Sequence, residues 1–170
     1  MAHHETPTYN VLEKDGAFEI RSYESYLTAA VDETSMKETN GFGQIFDYIS
    51  GGNSKKEKID MTVPVINELE TGKVTTEFVM PHHFSMESLP NPDNSRIKIK
   101  KSDDKLCAVV SFSGSISDEK IEKHLEKLKE WLVEKDIQTI GGFRLARYNP
   151  PFTPPTFRRN EILVDIVNTD

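Results

Sequence analysis

Few side chains in this chain can bind a metal or move a proton, and their spacing limits what they can do. His82-His83 follows Pro81 at the end of an alternating apolar run, where an imidazole could serve as a metal ligand; the plainer reading is an exposed loop pair. No histidine lies between His4 and His82, so that whole segment offers no imidazole. His124 flanks an apolar helical stripe, where histidine is usually solvated or bonded to a neighbour. Cys107 sits inside Leu106-Cys107-Ala108-Val109-Val110. That setting reads as a buried structural thiol, not the exposed and electropositive thiolate that ligation or attack requires. The carboxylates Glu68/Glu70 and Asp103/Asp104 fall at expected loop or edge positions, and nothing sets two of them across a cleft for acid–base work. Glu161, directly after Arg158-Arg159-Asn160, is expected to form an internal ion pair that locks the C-terminal loop. Gly41-Phe42-Gly43 is too short and too aromatic to cradle phosphates. The chain has no G-x-S-x-G elbow, P-loop, dinucleotide fingerprint or H-E-x-x-H. A binding protein is expected, with an enzyme of weak hydrolytic activity as the third-ranked reading.

Composition narrows the partners. The net charge of −7 argues against general binding to nucleic acid or to an anionic membrane, both of which need basic patches to displace counterions. Arg158-Arg159 is the best local basic patch and is short. One cysteine excludes an internal disulfide, and no apolar run approaches the roughly 18 residues of a membrane span. Cytoplasmic location is the expectation. Residues 1–8 read as a disordered lead, and 9–170 as one domain, a monomer or weak oligomer.

The elements that must position these residues show two periods. Phe18/Ile20 and Leu27/Ala29/Val31 alternate apolar with polar, as do Ile59/Met61/Val63/Val65, Val74/Thr76/Phe78/Met80, Ile97/Ile99, Leu106/Ala108/Val110/Phe112 and Ile162/Val164/Ile166. Each set predicts a strand with one face on a core; Pro64 places its strand at an edge or bulge. Phe42, Ile45, Phe46 and Ile49 recur at helical spacing and should stop at Gly51-Gly52. Ile121, Leu125, Leu128 and Leu132 make a second helix capped by Ser117, with Trp131 pinning it to the sheet. The order extended region, helix, strand, strand runs over 17–81 and again over 96–168, joined by the turn-rich link 88–95. The fold class expected is α+β: a distorted, mostly antiparallel β-barrel of two similar halves, with two helices packed outside.

Tyr9-Asn10-Val11-Leu12, Phe18-Glu19-Ile20-Arg21-Ser22-Tyr23, Tyr48-Ile49-Ser50-Gly51-Gly52-Asn53, Lys58-Ile59-Asp60-Met61-Thr62-Val63-Pro64-Val65, Phe78-Val79-Met80-Pro81, Tyr148-Asn149-Pro150-Pro151 and Arg158-Arg159-Asn160-Glu161 follow one another in an order and spacing that resembles the SOUL/haem-binding protein family, related to GyrI-like modules. The resemblance spans nearly the whole chain and implies a barrel from two similar halves. It also implies non-covalent binding of b-type haem or a related porphyrin in a shallow apolar groove near the first helix. Such a groove needs apolar and aromatic side chains for the macrocycle, cations for the propionates and, optionally, an axial ligand. Carried onto this chain, Phe42, Ile45, Phe46 and Met61 would line the groove, and the alternative is that they hold helix to sheet. Arg147 and Arg158 would meet the propionates, with Lys37 and Arg159 as further cations, since the helix itself offers Thr39, Asn40, Gln44 and Asp47 where relatives carry basic residues. His83 is the candidate iron ligand. Tyr48 is better read as a packed aromatic with a satisfied hydroxyl. The alternative function is a GyrI-like module that binds another small amphipathic molecule through the same groove, or a protein partner through the loop 149–157.

Overall fold

A computed structural model describes residues 4–33, 41–69, 74–149 and 152–168. Nine strands form one antiparallel sheet: β1 (Tyr9–Asp15), β2 (Phe18–Tyr23), β3 (Tyr26–Glu33), β4 (Val65–Glu68), β5 (Val74–Val79), β6 (Lys98–Ser102), β7 (Lys105–Ser113), β8 (Thr139–Arg147) and β9 (Arg159–Ile166). Two helices join them, α1 (Gly41–Ile49) and α2 (Asp118–Glu134). The sheet runs β1-β2-β7-β9-β8-β4-β5-β3-β6 and curls into a half-barrel.

The order strand, helix, strand, strand occurs twice, as β3-α1-β4-β5 and as β7-α2-β8-β9. The two units meet where β4 pairs with β8, from Val65↔Arg147 to Glu68↔Arg144. The strand before each unit crosses to the other: β2 pairs with β7, and β6 pairs with β3. The extended region 17–31 is therefore two strands, parted at Glu24-Ser25 and sent to distant places in the sheet.

Alternation along the strands sorts side chains onto two faces. One face carries both helices. Ile45, Tyr48 and Ile49 of α1 pack with Ala29, Val31, Val65 and Phe78, while Leu125, Leu128, Trp131 and Leu132 of α2 pack with Ala108, Val110, Ile162 and Val164. The opposite face gathers Tyr23, Ile66, Val79, Cys107, Val109, Tyr148 and Leu163.

The helix ends follow the local rules. Ser117 caps α2 by accepting the Lys120 N–H at 3.1 Å, and Trp131 donates to Asp15 at 2.9 Å while stacking on Phe18. The α1 helix ends before Gly51, whose φ of +121° suits only glycine, and the Gly52 N–H returns to the Asp47 carbonyl at 2.9 Å.

Two sequence expectations are revised. Ile59–Val63 is not a strand. Asn53 turns the chain by donating to the Tyr48 and Glu57 carbonyls and accepting the Lys55 and Glu57 N–H groups, and the strand begins only at Val65, after Pro64, which has no N–H to give a ladder. Residues 4–8, read as a disordered lead, are tied to the body: Glu5 bridges Thr62, and its carbonyl accepts the Val63 N–H at 2.9 Å.

Candidate functional site

Among the described residues, the outer face of α1 leaves two large aromatics uncovered on an α-helix. Helical spacing turns Ile45, Tyr48 and Ile49 inward and leaves Phe42 and Phe46 outward, 50% and 46% exposed. Their rings stack at 6.1 Å and 11°, and Phe42 also tilts against the core ring of Phe78 at 5.2 Å. The result is an aromatic ridge with a firm base.

On the Phe46 side the ridge borders a cleft of about 480 Å³, within the range that holds small-molecule ligands. Phe46, Met61, Pro81 and His83 contribute to its lining, with Lys58 and Asp60 as the charged members from the irregular segment. That segment is braced from below, since Ile59 is buried and its N–H bonds the Ile49 carbonyl at 2.8 Å. Thr62 donates to the Val79 carbonyl, and the Met61 carbonyl meets His4 Nδ1 at 3.2 Å. His83 is exposed, with its ring 4.2 Å from that of Phe84.

On the Phe42 side the sheet register supplies a cation. Phe78, Val65 and Arg147 are successive partners across β5, β4 and β8, so Arg147 projects from the same face as Phe78, on which Phe42 rests. Its guanidinium donates to Asn67 at 2.8 Å, and burial draws its pKa down.

The structure thus brings Phe46, Met61 and His83 to one cleft and sets Phe42 and Arg147 on the adjoining surface. Two residues expected at the groove do not reach it. Ile45 has no exposed surface and serves as the floor under the ridge. Arg158 donates to the Thr153 carbonyl at 2.7 Å and braces the 152–158 turn. That turn carries exposed Phe152 and Phe157. Lys37, Thr39, Asn40, Glu70, Pro150 and Pro151 lie outside the described residues. Lys58 is the cation that the sequence reading passed over. It opens the Lys58–Val65 run, but only the turn at Asn53 shows that it faces the cleft. The wall built by His4 and Glu5 left no signal at all.

The other candidate chemistries resolve as structural. Tyr48 donates to the Pro90 carbonyl at 2.6 Å, and burial, then the charge of Glu57, pushes its hydroxyl up to about 12. Cys107 is buried against Asp165, and burial pushes its thiol up to about 12. His124 stacks on Phe112 at 4.0 Å beside α2, with Nδ1 on the Lys120 carbonyl, and burial lowers its pKa. Glu161 is fully buried on the face opposite the helices. Arg21 reaches it through two bonds of 2.9 and 2.7 Å, Tyr148 at 2.7 Å and Arg159 at 2.9 Å. Burial would raise the Glu161 carboxyl, but the bonds and charge of Arg21, then of Arg159, outweigh it and hold the group below the usual carboxylate range. It is an ion-pair centre, as its neighbours in the sequence suggested. Among the described residues no cluster of three His, Cys, Asp or Glu comes together to hold a metal.

Nine antiparallel strands, six of them in two βαββ units, with both helices on one face, define the GyrI-like fold. The solved C-terminal domain of EcmrR superposes with a TM-score of 0.67 at 9% identity, over 94% of this chain and 98% of that one. A chain described as a hydrolase from Listeria innocua gives 0.64 at 10%, over 92% and 94%. The family model described as SOUL heme-binding protein matches residues 4–165, and the chain belongs to that family. Heme-binding protein 2 of Mus musculus is 29% identical over 150 residues, 81% of this chain and 72% of that protein. Heme-binding protein 1 of Xenopus laevis is 26% identical over 162 residues, 88% and 84%. No helix among the described residues is long and apolar enough to cross a membrane.

Proposed function

We propose that this protein reversibly and non-covalently binds b-type haem or a related porphyrin across the outer face of α1, as a cytoplasmic buffer, carrier or sensor. The observation that carries the reading is the exposed, stacked Phe42–Phe46 ridge running into the cleft that holds Met61 and His83. A macrocycle needs a flat apolar surface, and two stacked rings, Phe42 resting on Phe78 and Phe46 on Phe42, supply one. The names of the Mus musculus and Xenopus laevis relatives support the same ligand class. The residues present fit the group: Lys58 on one side and Arg147 on the other are cations for propionates, and His83 or Met61 is an optional ligand to iron. Asp60 and Glu5 also line the cleft, so the electrostatic gain is smaller than two free cations would give. When bound, the porphyrin supplies its own metal chemistry; the chain's part is to bind and orient it.

The test is a haem titration followed by the Soret band, comparing wild type with Phe46→Asp and Phe42→Asp. A saturable one-to-one shift is expected. Each charged substitution should weaken it roughly tenfold or more, since burying a phenyl ring contributes about 1.5–3 kcal/mol. Folded protein with no saturable shift, or with a shift insensitive to both substitutions, would overturn the assignment.

A further inference from the structure

Among the described residues, His4 and His83 are the imidazoles that line the α1 cleft, and Glu5 fixes the segments that carry them. The Glu5 carbonyl accepts the Val63 N–H at 2.9 Å, which ties His4, its neighbour in sequence, to the irregular wall. The Glu5 carboxylate accepts the His82 backbone N–H at 2.7 Å and meets His82 Nδ1 at 2.9 Å, which holds the residue before His83.

The rings differ in how their nitrogens are used. His4 Nδ1 lies 3.2 Å from the Met61 carbonyl oxygen. A carbonyl only accepts, so Nδ1 carries the proton of that bond, and in the neutral ring Nε2 keeps its lone pair. Metal-bound histidines use the same arrangement. One ring N–H on a carbonyl or carboxylate fixes the tautomer and the ring's orientation, and makes the other nitrogen a better ligand. His83 has no such partner among the described residues; its contacts are with the rings of His82 and Phe84. His82 has one, the Glu5 carboxylate, but it lines a different hollow, beside Tyr26 and Phe84. Among the described residues only His4 joins a place in the cleft to a fixed tautomer.

Given the tetrapyrrole reading of the α1 surface, on which this rests, we propose that His4 Nε2 is the protein's ligand to the iron of a bound porphyrin, with His83 off the metal. The Met61 carbonyl orients the ring, and Glu5 holds the segment in place. The Phe42–Phe46 ridge holds a macrocycle whatever its centre. His4 adds affinity only when iron is present, so residues 4–8 let the chain tell haem from a metal-free porphyrin.

Haem and metal-free protoporphyrin IX serve as probes, because they share the ring and the propionates and differ in the iron. Titration of the full, tag-free chain, by the Soret band for haem and by fluorescence for protoporphyrin IX, should show saturable binding of both, with haem the tighter. His4→Ala should weaken haem at least tenfold, since removing even an outer partner of a metal ligand costs about 10–100-fold in metal affinity. It should leave protoporphyrin IX unchanged, and His83→Ala should change neither. Resonance Raman spectra of the dithionite-reduced haem complex should carry an iron–histidine stretching band in wild type and His83→Ala, and none in His4→Ala. A wild type without the band, a band that survives His4→Ala, or equal loss of both porphyrins in His4→Ala would each overturn the ligand assignment. In those cases protoporphyrin IX binding that Phe46→Asp weakens would leave the tetrapyrrole surface standing. Saturable binding of neither porphyrin would overturn both readings.

Discussion

Replacing Glu161 by Gln tests the buried ion-pair centre most directly. The carboxylate has no exposed surface, and Arg21, its closest charged partner, is only 2% exposed. Both carboxylate oxygens are in use: one takes Arg21 and Tyr148, the other Arg21, Arg159 and, at 3.3 Å, Ser111. Gln keeps the shape and one acceptor, but it removes the charge and turns an NH₂ toward guanidinium donors. Arg21 would then rely on Glu19, 2.7 Å away, for its only remaining carboxylate. Breaking one side of a buried pair typically costs about 3–5 kcal/mol, because the surviving charge stays desolvated. In a domain of this size that lowers the melting temperature by roughly 6–20 °C. Thermal and urea unfolding at pH 7 measure the loss. A double replacement, Arg21→Met with Glu161→Leu, should cost less per residue removed, although it still orphans the Tyr148 and Ser111 hydroxyls and frees Arg159. A Glu161→Gln midpoint within about 1 kcal/mol of wild type would refute the reasoning.

Further outcomes follow from the same contacts. Glu161 and Asp165 are both held below their ordinary pKa values: burial would raise each, but Arg21 and Arg144, respectively, overcome it. Their stabilisation is complete above the unfolded values of 4.5 and 3.8 and is lost as pH falls through the lower folded values, so urea midpoints should hold near neutrality and drop steeply in that acid range. Cys107, buried and shifted up to about 12, should resist iodoacetamide at pH 8 in the folded protein and react fully after denaturation, as mass spectrometry reads. Tyr48→Phe leaves the Pro90 carbonyl without its 2.6 Å donor and should cost about 1–3 kcal/mol in urea unfolding.

What the sequence made legible was what periodicity encodes. The two amphipathic helices, the strands with clean alternation and the cap at Ser117 are where the pattern puts them, because each helix buries one face against the sheet. Strand β1 escaped notice, and β8 was expected only as one of two strands after α2, without bounds, for opposite reasons. β1 is an outer strand with six of its seven residues exposed, so no apolar alternation marks it. β8 alternates only after Gly141-Gly142, where its register with β9 shifts between Ile140 and Arg144. The Ile59–Val65 run failed the other way: its alternation is real, but Asn53 and Pro64 reserve the backbone for a turn and an irregular wall. Site residues were legible as types and not as places. Phe42 and Phe46 follow from helix spacing, whereas the partnership of Arg147 with that surface depends on the β4–β8 pairing, eighty residues apart in sequence, which no local pattern announces.

The two faces of the sheet also separate what holds the fold from the surface proposed to meet the ligand. Glu161 lies beside Leu163 and Tyr148 on one face, while Phe46 projects from a helix packed on the other, with Phe78 and Val65 between. Among the described residues no hydrogen bond or ring contact joins the two groups, and residues without shared partners combine additively to within about 0.3–0.5 kcal/mol. Glu161→Gln should therefore lower stability without changing haem affinity in the folded fraction. Phe46→Asp should do the reverse, since a half-exposed ring gives up little packing when charged. The double variant should show the sum in unfolding and the Phe46→Asp value alone in the Soret titration. A loss of haem affinity in Glu161→Gln at a temperature where it is fully folded would show that the buried centre sets the shape of the α1 surface, and the division between the faces would fail.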